Sequence, residues 1–294
     1  MCHFSLAAGR KVLGCTYVII SRFDNYIMTN MTGATSSIVG HYGAEDLVNQ
    51  IMRALAAAGY NTASPTVEML NLIDQLHGGG LNSTKAQAEL AGVAKDMRVL
   101  DAGCGVGGSS RYLAHTHGCQ VEAIDLTPQY VEAAVRLNEL CGLDKKIVVR
   151  QGSVTDLPYA DQCFDLVWCQ NVTMNVEDKR RMFSEAYRVL APSGRYMISH
   201  LAQGPGGEPH YPLPWAREPS YSFLGTPEKI LECLKGVGFV DIQSRTESGA
   251  PGSARSDLGP STIMGSDMPE RQANVARSVK DGRLIRMLVV AQRK

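Results

Sequence analysis

Between a short β-branched stretch and a helical one, the chain reads Val99-Leu-Asp101-Ala-Gly103-Cys-Gly105-Val-Gly107-Gly108. No other segment narrows the fold as far. Glycines at alternate positions tolerate the positive φ of a tight turn, and they let backbone N–H groups approach a ligand with no Cβ between. A strand running through such a turn into a helix is the first unit of a parallel α/β sheet. Asp125 closes the next predicted strand about 20 residues on, where a carboxylate accepts hydrogen bonds from ribose hydroxyls.

The rest of the chain continues the alternation. Strands are predicted over 97–101, 121–124, 147–150, 164–169, 196–200, 239–246 and 284–292, and helices over 107–117, 127–141, 178–190 and 226–238. Thr127-Pro128 and Thr226-Pro227 each set a capping hydroxyl ahead of a proline at the first helical turn. Ahead of the first strand lie three predicted helices. One spans 44–57, with Leu47, Ile51 and Leu55 at helical spacing. A second spans 66–76 and is broken by His77-Gly-Gly-Gly80. The third runs through Gly92 with Ser83 as its cap. They read as a helical cover over 41–95 of a single domain, 41–294. The expectation is a Rossmann-like sheet with helices on both faces and ligands at the carboxyl ends of its strands.

The 294 residues suffice for one such domain, and Lys+Arg and Asp+Glu balance at 29 each. A nucleic-acid binder usually shows a basic excess, so this balance argues against that partner. The eight cysteines form no Cys-x-x-Cys pair and sit in apolar contexts. They read as free thiols in a reducing compartment, without a metal site. Residues 1–40 read as a poorly ordered extension. Arg10-Lys11 followed by the apolar run Val12–Ile20 resembles a signal segment, but no clear cleavage pattern follows and the run is too short to span a bilayer. A cytoplasmic protein is expected, with organelle targeting as the lesser alternative.

Gly103, Gly105 and Gly108 also spell Gly-x-Gly-x-x-Gly, so the glycines alone admit a dinucleotide. Asp101 separates the two cases. An acid two residues before the first glycine suits a cationic amino-acid moiety and repels a pyrophosphate.

Val99–Gly108 with Val121-Glu-Ala-Ile-Asp-Leu126 resembles motif I and the acidic loop of class I S-adenosylmethionine-dependent methyltransferases. Gln151-Gly-Ser-Val-Thr-Asp-Leu-Pro158, Phe164-Asp-Leu-Val-Trp168 and Arg188-Val-Leu-Ala-Pro-Ser-Gly194-Arg resemble later motifs of the family. The resemblance covers about residues 83 to 246. It lies nearest the small-molecule branch that includes sarcosine/dimethylglycine and tocopherol methyltransferases. It implies a seven-stranded sheet with the last strand antiparallel. The Gly103–Gly107 backbone would then hold the methionine end, Asp125 the ribose, and Leu126 the adenine. Family members often carry Asp where this chain has Ser153, so the Ser153 hydroxyl or the Val154 backbone takes that place here.

Methyl transfer is an in-line displacement that depends chiefly on alignment and exclusion of water. After the fourth strand the chain reads Trp168-Cys-Gln170-Asn171, without the Asn/Asp-Pro-Pro-aromatic signature of enzymes that methylate amide or base nitrogens. Gln170 is expected at the cofactor and at catalysis, and Asn171 at the acceptor. His200, ending the fifth strand, is the candidate general base. The insert 202–225 is expected as a lid, with Tyr211, Trp215 and Tyr221 offering aromatic faces to a cation and Arg217 a carboxylate partner. Tyr42 and the His77–Gly80 loop are expected across the cofactor mouth. The reading is methyl transfer from S-adenosylmethionine to a small molecule, first an amine or amino acid, with an O- or C-acceptor next. An NAD-dependent dehydrogenase and a non-catalytic relative are the more distant alternatives, and a homodimer is left open.

Overall fold

The computed structural model describes residues 46–246 and 258–294. The expected extension 1–40 and Tyr42 lie outside them. Seven strands form one sheet: β1 (Arg98–Ala102), β2 (Gln120–Asp125), β3 (Ile147–Gln151), β4 (Phe164–Gln170), β5 (Leu190–Gln203), β6 (Phe239–Thr246) and β7 (Leu284–Arg293). Their order is β3-β2-β1-β4-β5-β7-β6, with β7 antiparallel to both of its neighbours and β1 to β5 mutually parallel. The predicted Rossmann-like class and the antiparallel last strand are both present.

The central strands are apolar on both faces, as a sheet covered by helices on both sides requires. On β4, Val167 and Cys169 enter one core and Leu166 and Trp168 the other. The first core packs under α6 (Lys179–Val189) and α7 (Pro227–Val237), through Phe183, Ala186, Ile230 and Leu234. The second packs under α3 (Gly80–Ala91) and α4 (Gly108–Tyr112), through Ala88, Ala91 and Tyr112. Each fully buried aliphatic side chain contributes about 1.5–3 kcal/mol. Further out, Leu47, Ile51 and Leu55 of α1 (Leu47–Ala57) pack on Tyr130, Ala133 and Leu137 of α5 (Pro128–Leu140).

Several boundaries depart from the sequence reading. The expected helix 66–76 shrinks to α2 (Val67–Leu70), because Asp74 and Gln75 are drawn into buried hydrogen bonds with Arg111 and Thr84. α3 starts at Gly80 behind Gly79, whose φ is +88°, and not at a Ser83 cap. Ser83 lies inside the helix and accepts from Gln87 at 2.7 Å. Pro192-Ser-Gly194 does not separate α6 from the strand. Pairing jumps from Phe164–Leu190 to Leu166–Arg195, so residues 191–194 bulge within β5.

Between β6 and β7, where no helix was expected, lie α8 (Ser261–Met264) and α9 (Met268–Lys280). The buried stripe of α9 is Met268, Arg271, Val275 and Ser278. A charge and a hydroxyl within that stripe hide the helical periodicity from a hydrophobic pattern.

Candidate active site

The glycine turn is built by backbone groups at the ends of β1 and β2. Gly103 and Cys104 both donate to the Ile124 carbonyl, at 2.8 and 3.0 Å. The Asp125 carboxylate accepts from Gly105 N at 2.8 Å and from Thr127 N at 2.9 Å. Gly103 and Gly107 have φ of +89° and +84°, and a Cβ on Gly103 would collide with Val172. Gly108 is needed for a different reason. Its Cβ would lie 2.5 Å from the Asp74 carbonyl oxygen, so the cover rests directly on the turn there.

Behind the turn, Arg111 is fully buried. Its Nη2 donates to Asp74 at 2.8 Å and to the Val106 carbonyl at 2.7 Å, and its Nη1 donates to Asn138 at 3.0 Å. This buried ion pair ties the cover to the loop that a cofactor would touch. Nothing in the sequence singled out Asp74 or Arg111, which lie 37 residues apart.

Asp101 ends β1 almost completely buried, with Oδ2 accepting from Ser110 at 2.6 Å. Burial, and then the neighbouring charge of Asp125, push its carboxyl up to about 7. A carboxylate raised this way despite the nearby Arg111 would be stabilised further by the ammonium group of an amino-acid ligand.

A cavity of about 510 Å³ opens over this edge of the sheet. On one side it is lined by Asp101, Gly103, Asp125, Leu126, Ser153 and Val154, so those predicted positions share one wall. Gly105 and Gly107 shape the turn but do not line the cavity. The Ser153 hydroxyl is 2.8 Å from that of Thr155 and accepts the Thr155 N–H at 3.2 Å, which turns it back toward its own loop. His77 and Gly78 of the expected mouth loop line the cavity too.

Gln170 and Asn171 sit at the middle. The Gln170 amide is engaged at both ends. Its Oε1 accepts from Ser109 Oγ and its Nε2 donates to Gln87 Oε1, while Gln87 also donates to Ser83 and Ser199. Gln170 is therefore a fixed strut between the cover helix α3 and the sheet edge. Asn171 adopts φ +54° and its N–H donates to the Ser199 carbonyl at 2.7 Å.

The other side of the cavity is a chamber walled by Met174, Leu201, Trp215, Phe223, Met268 and Val275. His200 lines it, 3% exposed, with Nδ1 2.6 Å from the Thr173 hydroxyl. Its Nε2 is buried with no hydrogen-bond partner. Burial, and then the charge of Lys179, push the imidazole down to about 4. His200 is thus held in its neutral form near pH 7.

Only part of the lid reaches the chamber. Trp215 lines it and donates its Nε1–H to Ser222 at 2.9 Å. Tyr211 packs beneath, with Leu213 and Leu284, and is not in the cavity wall. Arg217, expected to meet a substrate carboxylate, instead pairs with Asp267 at 2.8 Å outside the cavity, because α9 brings an acid beside it. Tyr221 lies on the surface, 36% exposed. Lys179 Nζ donates to the Val176 and Phe223 carbonyls and so fastens the lid's end to the turn after β4.

Among the described residues no group of three or more His, Cys, Asp or Glu side chains is placed to hold a metal ion. No helix there is long and apolar enough to cross a membrane.

Residues 100–198 match the family model of the methyltransferase domain. The chain is 35% identical over 147 residues to a sarcosine/dimethylglycine N-methyltransferase of Halorhodospira halochloris, covering 50% of this chain and 53% of that one. It is 41% identical over 104 residues to a probable chloroplastic tocopherol O-methyltransferase of Oryza sativa subsp. japonica, covering 35% and 29%. The chain thus spans about half the length, or less, of these curated relatives. In fold it is similar to the geranyl diphosphate C-methyltransferase of Streptomyces coelicolor A3(2), with a TM-score of 0.66, 21% identity and coverage of 90% and 98%.

Proposed function

We propose, on the premise that this chain carries a class I S-adenosylmethionine-dependent methyltransferase domain, that it methylates a small-molecule amine held in the chamber beside His200. One observation carries the reading. A single cavity joins the Asp101–Gly103–Asp125 wall to a largely apolar chamber, so a donor and an acceptor can meet within it. The bound cofactor supplies an electrophilic methyl group on a sulfonium.

The residues present fit that group. Asp101 offers a buried charge to its ammonium, and the glycine turn admits its methionine end without a Cβ in the way. Asp125 has lone pairs left for the ribose hydroxyls after binding Gly105 and Thr127. Leu126 and Val154 flank the adenine, with the Ser153 hydroxyl or the Val154 backbone as its polar contact. Gln170 holds the cofactor's edge in place through its strut. Asn171, His200 and Trp215 face the acceptor. Tyr211 and Arg217 keep the lid folded, through the packing beneath it and the Asp267 ion pair.

Calorimetric titration with S-adenosylhomocysteine, paired with a labelled-methyl transfer assay, tests the reading. Binding at micromolar level with no binding of NAD is expected. Binding of NAD alone overturns it.

A further inference from the structure

The imidazole of His200 meets two different surroundings. Its Nδ1 lies 2.6 Å from the hydroxyl of Thr173, which belongs to the turn after β4 and is not in the cavity wall. His200 itself is in that wall. The ring thus turns its Nδ1 side into the protein and the edge carrying Nε2 toward the chamber. Nε2 is buried and has no hydrogen-bond partner. A buried polar atom left unpaired costs free energy, so a partner from outside the chain has a place there.

The kind of partner depends on where the ring carries its hydrogen. Burial and the Lys179 charge hold the imidazole neutral, so one nitrogen bears a hydrogen and the other a lone pair. Thr173 is 1% exposed, and among the described residues its hydroxyl is paired with His200 Nδ1. Were Nδ1 to carry the hydrogen, the hydroxyl would accept it and its own O–H would be stranded in the core. With the hydroxyl donating to Nδ1, both of these groups are paired. Hydrogen-bond satisfaction therefore assigns the ring hydrogen to Nε2.

Two neighbouring polar groups are already taken. Trp215 donates its Nε1–H to Ser222, and the Gln170 amide is engaged by Ser109 and Gln87. The side chains of Met174, Leu201, Met268 and Val275 offer apolar surface. A lone N–H in such a wall discriminates sharply. A ligand with an oxygen at that point pairs it, and one with a methyl group leaves it stranded.

Resting on the methyltransferase reading, we propose that His200 donates a hydrogen bond from Nε2 to an oxygen atom of the acceptor, and so selects acceptors that carry one. In that tautomer the chamber-facing nitrogen has no free lone pair. His200 then orients the acceptor and takes no proton from it. A hydroxyl and a carboxylate both supply such an oxygen, and the test separates them.

The test uses the full chain and three amines of one skeleton: isobutylamine, isopropanolamine and β-aminoisobutyrate, which place a methyl, a hydroxyl or a carboxylate at the same carbon. Turnover with labelled S-adenosylmethionine is measured for each. NMR of protein labelled at its histidine nitrogens and loaded with S-adenosylhomocysteine follows the His200 ring, assigned by its loss in His200→Phe. The hydrogen is expected on Nε2. At least one oxygen-bearing amine is expected to exceed isobutylamine in kcat/KM by about tenfold or more and to move the Nε2 resonance, which isobutylamine leaves in place. The better of the two identifies the oxygen as neutral or carboxylate. His200→Phe should lose most of the preference. Thr173→Val, which frees Nδ1 to take the hydrogen, should weaken it in protein that still binds S-adenosylhomocysteine. A hydrogen found on Nδ1 overturns the proposal. So does a preference that survives in both variants. Oxygen-bearing amines that do no better than isobutylamine, in turnover and in their effect on Nε2, overturn it as well. Failure to bind S-adenosylhomocysteine at all rejects the methyltransferase reading instead.

Discussion

The Asp125 carboxylate holds the glycine turn itself, accepting the Gly105 N–H at 2.8 Å across 20 residues of chain. Its other oxygen accepts the Thr127 N–H at the start of α5. The acid that a sequence assigns to a ribose thus also joins β2 to the loop after β1.

Asp125→Ala is therefore expected to weaken S-adenosylhomocysteine binding by at least the roughly 1.5–3 kcal/mol of hydrogen bonds to a charged group. Asp125→Asn keeps an acceptor oxygen for one backbone donor and should lose less. Calorimetry on both variants checks this, and an unchanged affinity for Asp125→Ala removes the ribose from this residue.

Asp101 is expected to make cofactor binding dependent on pH. Its carboxyl is raised to about 7, so below that value the protein without cofactor carries it neutral and has no charge to offer an ammonium group. Affinity for S-adenosylmethionine is expected to rise as pH increases through about 7, and Asp101→Asn should flatten that profile. The same shift bears on stability. A folded-state pKa above the unfolded value of 3.8 costs stability progressively as pH rises from about 4 to about 7. Asp101→Asn should accordingly melt at a higher temperature than the parent at pH 8, in the absence of cofactor.

The Asp74–Arg111 pair has both side chains at zero exposure. Removing one member strands the other in the core at about 3–5 kcal/mol. Asp74→Ala and Arg111→Met are each expected to lower the denaturant midpoint by that order. The double variant should be less damaged than the sum of the two, because neither charge is then left alone. Strict additivity in the double-mutant cycle counts against the pair as the link between cover and turn.

Gln87 does not line the cavity, yet it accepts the Gln170 amide proton. Gln87→Leu leaves Gln170 Nε2 without that partner, and about a tenfold rise in KM for S-adenosylmethionine is expected. Gln87→Glu keeps the acceptor and should restore most of it. If both variants show parent KM and differ only in melting temperature, Gln87 serves the fold alone.

Much of the architecture was legible because it depends on neighbours in sequence. The glycines from Gly103 to Gly108, the cap-and-proline signals at Thr127 and Thr226, and the alternation of apolar stretches each act over one or two turns of chain. They determined the strand–helix order, the position of the turn and the acids Asp101 and Asp125 beside it. The antiparallel β7 followed from family resemblance and not from local pattern.

What tertiary structure alone decided are the contacts between segments far apart. Arg217 found Asp267 on a helix whose buried stripe includes Arg271, so no apolar periodicity announced that helix. His200 has an ordinary sequence context, and burial among walls brought by Met174, Trp215 and Met268, with the charge of Lys179, favours its neutral form. Burial is a property of what surrounds a group in space. A one-dimensional pattern carries the identity of a side chain and its local backbone preference, but not the dielectric in which its charge must exist.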